Sequence, residues 1–104
     1  LIPTGLILDI PEGYSVRTHP RSGLAIKQGI ALANCEGVID WDYVEQLYVP
    51  IINFTNTAVV INHGDRIAQL EMVRVLDQEL AVALNAPSKK TSRNGGFGST
   101  GVSV

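Results

Sequence analysis

Apolar and polar positions alternate over short runs of this chain, and turn residues separate the runs. Tyr14, Val16 and Thr18 alternate with Ser15, Arg17 and His19, the period-2 pattern of a strand with one wet face. Just before it, Ile10-Pro11-Glu12-Gly13 reads as a turn, with Pro pre-setting φ and Gly free to take φ > 0. Arg66 to Val75 alternates again, with Ala68, Leu70 and Met72 on one face and Gln69 and Glu71 on the other. Leu47 to Phe54 is apolar on both faces, which predicts a buried strand, and Pro50 places it at a sheet edge or a bulge. Ser22 to Gly29 admits a helical turn, and Gly23 and Gly29 leave space for little more. Asp77 to Leu84 reads equally as a modest helix or as a last strand. Turn signals at Gly13, Gly23, Gly37 and Gly64 recur at the spacing of a small β-barrel or sandwich. The expected fold class is all-β.

The pattern breaks near residue 87. The fifteen residues from Pro87 to Gly101 contain four Gly, three Ser, two Thr, two Lys and a single apolar side chain, Phe97. Such a stretch cannot bury enough surface to offset its ordering entropy, so it is expected to be flexible when free and to order on a ligand. The chain thus divides into a β domain over residues 1–86 and a Gly-rich C-terminal arm over residues 87–104.

Composition narrows the function classes. At 104 residues, 45% hydrophobic and 17% charged, this is one domain's worth of sequence. No apolar run approaches the roughly 18 residues of a membrane-spanning helix, and nothing reads as a signal peptide, so no membrane partner is expected. A pI near 5.5 argues against nucleic acid as a partner. The lone Cys35 excludes an internal disulfide and a Cys-rich zinc site, and it suits a reducing compartment such as the cytoplasm. The sequence opens at Leu1, without methionine and already strand-like, so a fragment of a longer protein is expected. Charge is unevenly spread: residues 1–86 carry −5, whereas Lys89, Lys90 and Arg93 give the arm +3. A basic tail on an acidic body is either a solubilising terminus or a contact for an anion.

Four segments bear candidate chemistry. Pro20-Arg21-Ser22-Gly23-Leu24-Ala25 joins a cation, a hydroxyl and a pliant backbone at a strand end, a combination able to hold an oxyanion, although a plain turn favours the same Ser and Gly. Gly37-Val38-Ile39-Asp40-Trp41-Asp42-Tyr43 sets an acid beside apolar residues expected to pack, and burial would equip Asp40 as a general base. Turn-forming acids in a hairpin explain the same segment equally well. Gly64-Asp65-Arg66-Ile67-Ala68-Gln69-Leu70 reads as a turn entering a strand, with Gln69 offering an amide. In Gly95-Gly96-Phe97-Gly98-Ser99-Thr100-Gly101, glycines let backbone N–H groups converge on a phosphate, and an isolated Phe suits stacking on a base. No Walker loop or HExxH is present, and His19, His63 and Cys35 lack metal-ligand spacing.

In this order, PRSGLA, GVIDWDY, GDRIAQL and GGFGSTG resemble the second to fifth signature motifs of the trimeric deoxyuridine triphosphatases (dUTPases). The likeness runs from about Thr4 to Gly101. It implies a distorted β-barrel, or jelly roll, that assembles as a homotrimer with active sites shared between subunits, and it makes dUTP the small-molecule partner. By resemblance, Asp40 activates a water that attacks the α-phosphorus of dUTP, releasing dUMP and pyrophosphate. Tyr43 packs on the deoxyribose and excludes a ribose 2′-hydroxyl. Asn34 and the backbone of Gly37, Val38 and Ile39 read the uracil edge. Arg21, Ser22 and Gly23 hold phosphates of a neighbouring subunit's substrate, and Gln69 binds near the α-phosphate and the water. Arg93, Gly98, Ser99 and Thr100 close over the outer phosphates while Phe97 stacks on uracil. The cofactor implied is Mg²⁺, carried on the substrate phosphates rather than in a protein cage.

The family's first motif, an Ala-Gly-x-Asp-Leu-like segment, has no counterpart here. Val44-Glu45 stands where Arg-Gly or Gln-Gly is usual, and Arg93 lies one residue nearer the Phe than usual. Two other functions fit the same scaffold: a dCTP deaminase, or a non-catalytic regulatory protein, a viral source being compatible with the latter.

Overall fold

The computed structural model describes residues 1–97, whose regular elements are strands apart from one short, exposed helix, as the alternating pattern predicts. In chain order the elements are β1 (Ile2–Ile7), β2 (Tyr14–Pro20), α1 (Ser22–Gln28), β3 (Ile30–Leu32), β4 (Gly37–Asp40), β5 (Gln46–Val49), β6 (Ile51–Asn53) and β7 (Ala68–Arg74). All pairings are antiparallel: β4–β2–β7 in one sheet, β1 with β5, and β3 with β6.

The turn before β2 forms as its sequence requires. Gly13 takes φ +87°, and the Tyr14 N–H donates to the Pro11 carbonyl at 3.1 Å. β2 then runs between two partners, Ser15 opposite Asp40 and Val73, Thr18 opposite Gly37 and Leu70. With strands on both sides, β2 buries Ser15, Val16 and Thr18. The apolar β7 face bearing Leu70 and Met72 stays exposed, since nothing among the described residues covers it.

Three other expectations change. Residues 22–28 make two turns of helix rather than one, and Gly23 lies inside that helix instead of marking a turn. Gly29 makes this length workable: at φ +68° its N–H caps the Ala25 carbonyl at 3.1 Å. The 47–54 run is not one buried strand. Pro50 interrupts it, so Val49 pairs with Ile2 whereas Ile51 pairs with Leu32 in a different sheet, and Tyr48, Ile52 and Phe54 remain exposed. Gly37 opens a strand rather than a turn. Asp77 to Leu84 is neither helix nor strand, and Val82 is 99% exposed.

The buried apolar core is small, comprising Ile10, Val16, Ile30, Leu32, Leu47 and Val49 among the described residues. The chain exposes 8957 Å², against about 5,700 Å² expected of a compact monomer of its mass. Its radius of gyration, 19.1 Å, exceeds the roughly 13 Å of a compact domain of this length.

Candidate active site

Among the described residues β4 pairs with β2 on one side only, so its other edge presents backbone N–H and C=O groups to no second strand. That edge lines a cleft of about 330 Å³ whose walls include Asn34, Gly37, Val38, Ile39, Asp40 and Tyr43. Six residues singled out from the sequence are therefore gathered in one place. Thr18, Asp42, Leu47 and Tyr48 complete the lining and were not anticipated. Thr18 left a trace in the sequence: a hydroxyl within the alternation that otherwise marks an apolar face.

The turn from β3 into β4 sets Asn34. The Cys35 N–H donates to the Leu32 carbonyl at 3.0 Å, and Cys35 itself takes φ +60°. Arg17 reaches across the sheet to Glu36, Nη1 to Oε1 at 2.9 Å, and pins the far side of the turn. The Gly37 N–H donates to the Thr18 hydroxyl oxygen at 3.0 Å, a buried bond. After β4 the chain reverses, the Tyr43 N–H donating to the Asp40 carbonyl at 3.1 Å. The Tyr43 hydroxyl in turn donates to the Gln46 carbonyl at 2.6 Å, which fixes the ring against the start of β5. Gln46 is held by β1, its side-chain oxygen accepting the Gly5 N–H at 2.8 Å.

Asp40 is exposed, contrary to the packing expected around it. It is the last residue of an edge strand, and its neighbours Val38 and Trp41 are exposed as well.

Arg21 and Gln69 lie elsewhere. Both line a larger cleft, about 1180 Å³, formed with β1, β5 and the 61–67 segment. Arg21 Nη1 donates to the Arg66 carbonyl at 3.2 Å, and Ser22 and Gly23 follow in the exposed first turn of α1. Gln69 pairs with His19 on one side of β2, whereas Asp40 pairs with Ser15 on the other. Four residues of strand put them about 13 Å apart along β2, and two strand spacings add about 10 Å across. One chain therefore does not bring Asp40 and Gln69 to a common atom. Arg93 and Phe97 are exposed, with Arg93 Nε donating to the Gly95 carbonyl at 3.2 Å. Gly98, Ser99 and Thr100 lie outside the described residues.

Among the described residues no three His, Cys, Asp or Glu side chains gather as a metal site, and no helix is long and apolar enough to cross a membrane. A resident, protein-held ion does not fit the donor set of this cleft, where only Asp40 and Asp42 offer carboxylates.

Known proteins similar to this chain identify its family. The family model for dUTPase matches residues 1–101. The chain is 46% identical to the deoxyuridine 5′-triphosphate nucleotidohydrolase of Finegoldia magna, covering 97% of this chain and 70% of the relative. It is 48% identical to that of Desulfotalea psychrophila, over 98% of this chain and 67% of the relative. Among solved structures, the dUTPase of Streptococcus mutans is similar with a TM-score of 0.69 and 26% identity, over 74% of this chain and 65% of that one. The dUTPase of Staphylococcus bacteriophage 80alpha, determined with dUpNHpp, is similar with a TM-score of 0.68 and 27% identity, over 92% and 72%. The chain thus spans about two thirds of the length of these relatives. On the family match, the identity over nearly its whole length and the shared jelly-roll architecture, the chain belongs to the dUTPase family.

Proposed function

We propose that the protein hydrolyses dUTP to dUMP and pyrophosphate, which keeps uracil out of DNA and supplies dUMP for thymidylate synthesis. The observation that carries this reading is the single cleft where Asn34, the open edge of β4, Asp40 and Tyr43 meet in a chain of this family. An edge strand offers fixed donors and acceptors, which suits recognition of uracil over cytosine, and the Asn34 amide adds a donor–acceptor pair. The Tyr43 ring, held through its hydroxyl, forms a wall against the sugar that leaves no place for a 2′-hydroxyl. Asp40 accepts the proton of a water as its oxygen bonds to the α-phosphorus. The bond from that phosphorus to the bridging oxygen breaks, and pyrophosphate leaves with the electron pair. Magnesium arrives on the triphosphate as part of the substrate and neutralises its charge there.

The active site is shared in a homotrimer. Arg21, Ser22 and Gly23 hold the phosphates of a substrate bound in a neighbour's Asp40 cleft, and Gln69 orients its α-phosphate and water. Support comes from the separation of the two half-sites within one chain and from the exposed Leu70, Met72, Leu80, Val82 and Leu84, which a second subunit would cover. The arm, residues 87–104, closes over the bound nucleotide with Arg93, Gly98, Ser99 and Thr100 at the phosphates and Phe97 on the base. The exposed Cys35 thiol suits a reducing compartment such as the cytoplasm.

Hydrolysis of dUTP in H₂¹⁸O, followed by mass spectrometry, tests the reading. Label in dUMP and none in pyrophosphate is expected, with dTTP and UTP barely turned over. Label in pyrophosphate would place the attack on the β-phosphorus, and release of dUTP from dCTP would identify a deaminase instead.

A further inference from the structure

Thr18 is buried to 4% exposure in the central strand, yet it lines the nucleotide cleft. Its position is fixed from both sides, by Gly37 of β4 and Leu70 of β7, and its branched side chain has little χ1 freedom. Its hydroxyl oxygen accepts the Gly37 N–H at 3.0 Å, the buried bond at the point where β4 begins. The space above the Gly37 Cα is shared by two groups: a Cβ built there would collide with Thr18 Oγ1 and sit 2.8 Å from Asn34 Nδ2. The hydroxyl of Thr18, the backbone of Gly37 and the amide of Asn34 thus form one packed contact.

We propose that Thr18 is a positioning residue for base recognition: its hydroxyl holds the Gly37 amide and so sets the spacing between Asn34 and the reading edge of β4. The inference rests on the proposed assignment of that edge to uracil. Removing the acceptor leaves a buried N–H without a partner and lets the start of β4 shift relative to Asn34. The loss belongs in base binding and not in the phosphoryl step, because Asp40 lies at the other end of β4.

The test compares Thr18→Val, which keeps the shape and removes the acceptor, with Thr18→Ser, which keeps the acceptor and removes the methyl. For Thr18→Val, KM for dUTP should rise roughly tenfold while kcat stays within about threefold, and preference for dUTP over dCTP should fall. Thr18→Ser should restore both the KM and the preference. An unchanged KM in Thr18→Val, or a Ser variant as impaired as the Val variant, overturns the proposal. Amide hydrogen exchange in the nucleotide-free proteins supplies a readout independent of activity. The Gly37 N–H should be protected in the native and Ser proteins and should lose protection in the Val protein. Equal protection in all three refutes the contact itself. A native protein that protects Gly37 but does not bind dUTP would instead overturn the function on which the inference rests.

Discussion

The carboxylate of Asp40 stands at the end of a strand with water on its open side, and the lone tryptophan, Trp41, is its neighbour. Asp40→Asn keeps the shape and removes the proton acceptor, so turnover should fall about a thousandfold, within the span for loss of a general base. Binding of dUpNHpp should survive and still alter Trp41 fluorescence; turnover near the native rate would remove Asp40 from the chemistry. Tyr43→Phe deletes the 2.6 Å bond to the Gln46 carbonyl and leaves that acceptor to find water. A urea titration should show a loss of about 1 kcal/mol, and UTP should be excluded less well as the ring loosens. The residue types of this cleft were legible because acid, glycine and aromatic lie within seven consecutive positions, Gly37 to Tyr43. Thr18 was not, since its partner is nineteen positions away and only strand register makes them meet. The exposure of Asp40 was equally hidden, because an alternation pattern does not say which strand ends up at an edge.

At the level of elements, the two longest alternating strands were the readable ones. β2 and β7 form where the alternating runs place them, with β2 at the centre of the sheet, although Ser15 is buried on the face expected to be wet and Leu70 and Met72 of β7 are exposed. Segments whose pairing depends on distant chain were not. Pro50 gives residues 47–54 to two sheets, and Asp77 to Leu84 pairs with no strand among the described residues. The arm adds to this contrast. Residues 87–97 are exposed throughout and make no pairing with the sheets, so truncation after Ala86 should leave the folded body intact. The thermal midpoint should move by less than about 4 °C, while hydrolysis falls more than tenfold through loss of closure. Collapse of cooperative unfolding in the truncated protein would show that the arm is part of the body.

For the whole molecule, the excess exposed surface and the separation of Arg21 and Gln69 from Asp40 have one joint consequence if the proposed shared-site trimer forms. A chain bearing Asp40→Asn and a chain bearing Arg21→Ala should each be nearly inactive alone. Random mixing of the two in shared-site trimers regenerates about one complete site in four, because each intact half then comes from a different subunit. Recovery of activity after unfolding the two variants together and refolding them tests this. Absence of recovery, with sedimentation showing mixed trimers, would confine each site to a single subunit. The open edge of β4 also bears on solubility. Backbone N–H and C=O groups that, on the proposed function, would read a base can equally accept a foreign strand, so the same surface would be an adhesive one. Its reach is limited to Gly37–Asp40, four residues that begin on glycine and end on a charge. On the proposed function that brevity would suffice to address a flat heterocycle, and it is too short to template a stable strand pair. Lengthening the edge with β-forming residues should therefore turn this short open strand into a seed for aggregation.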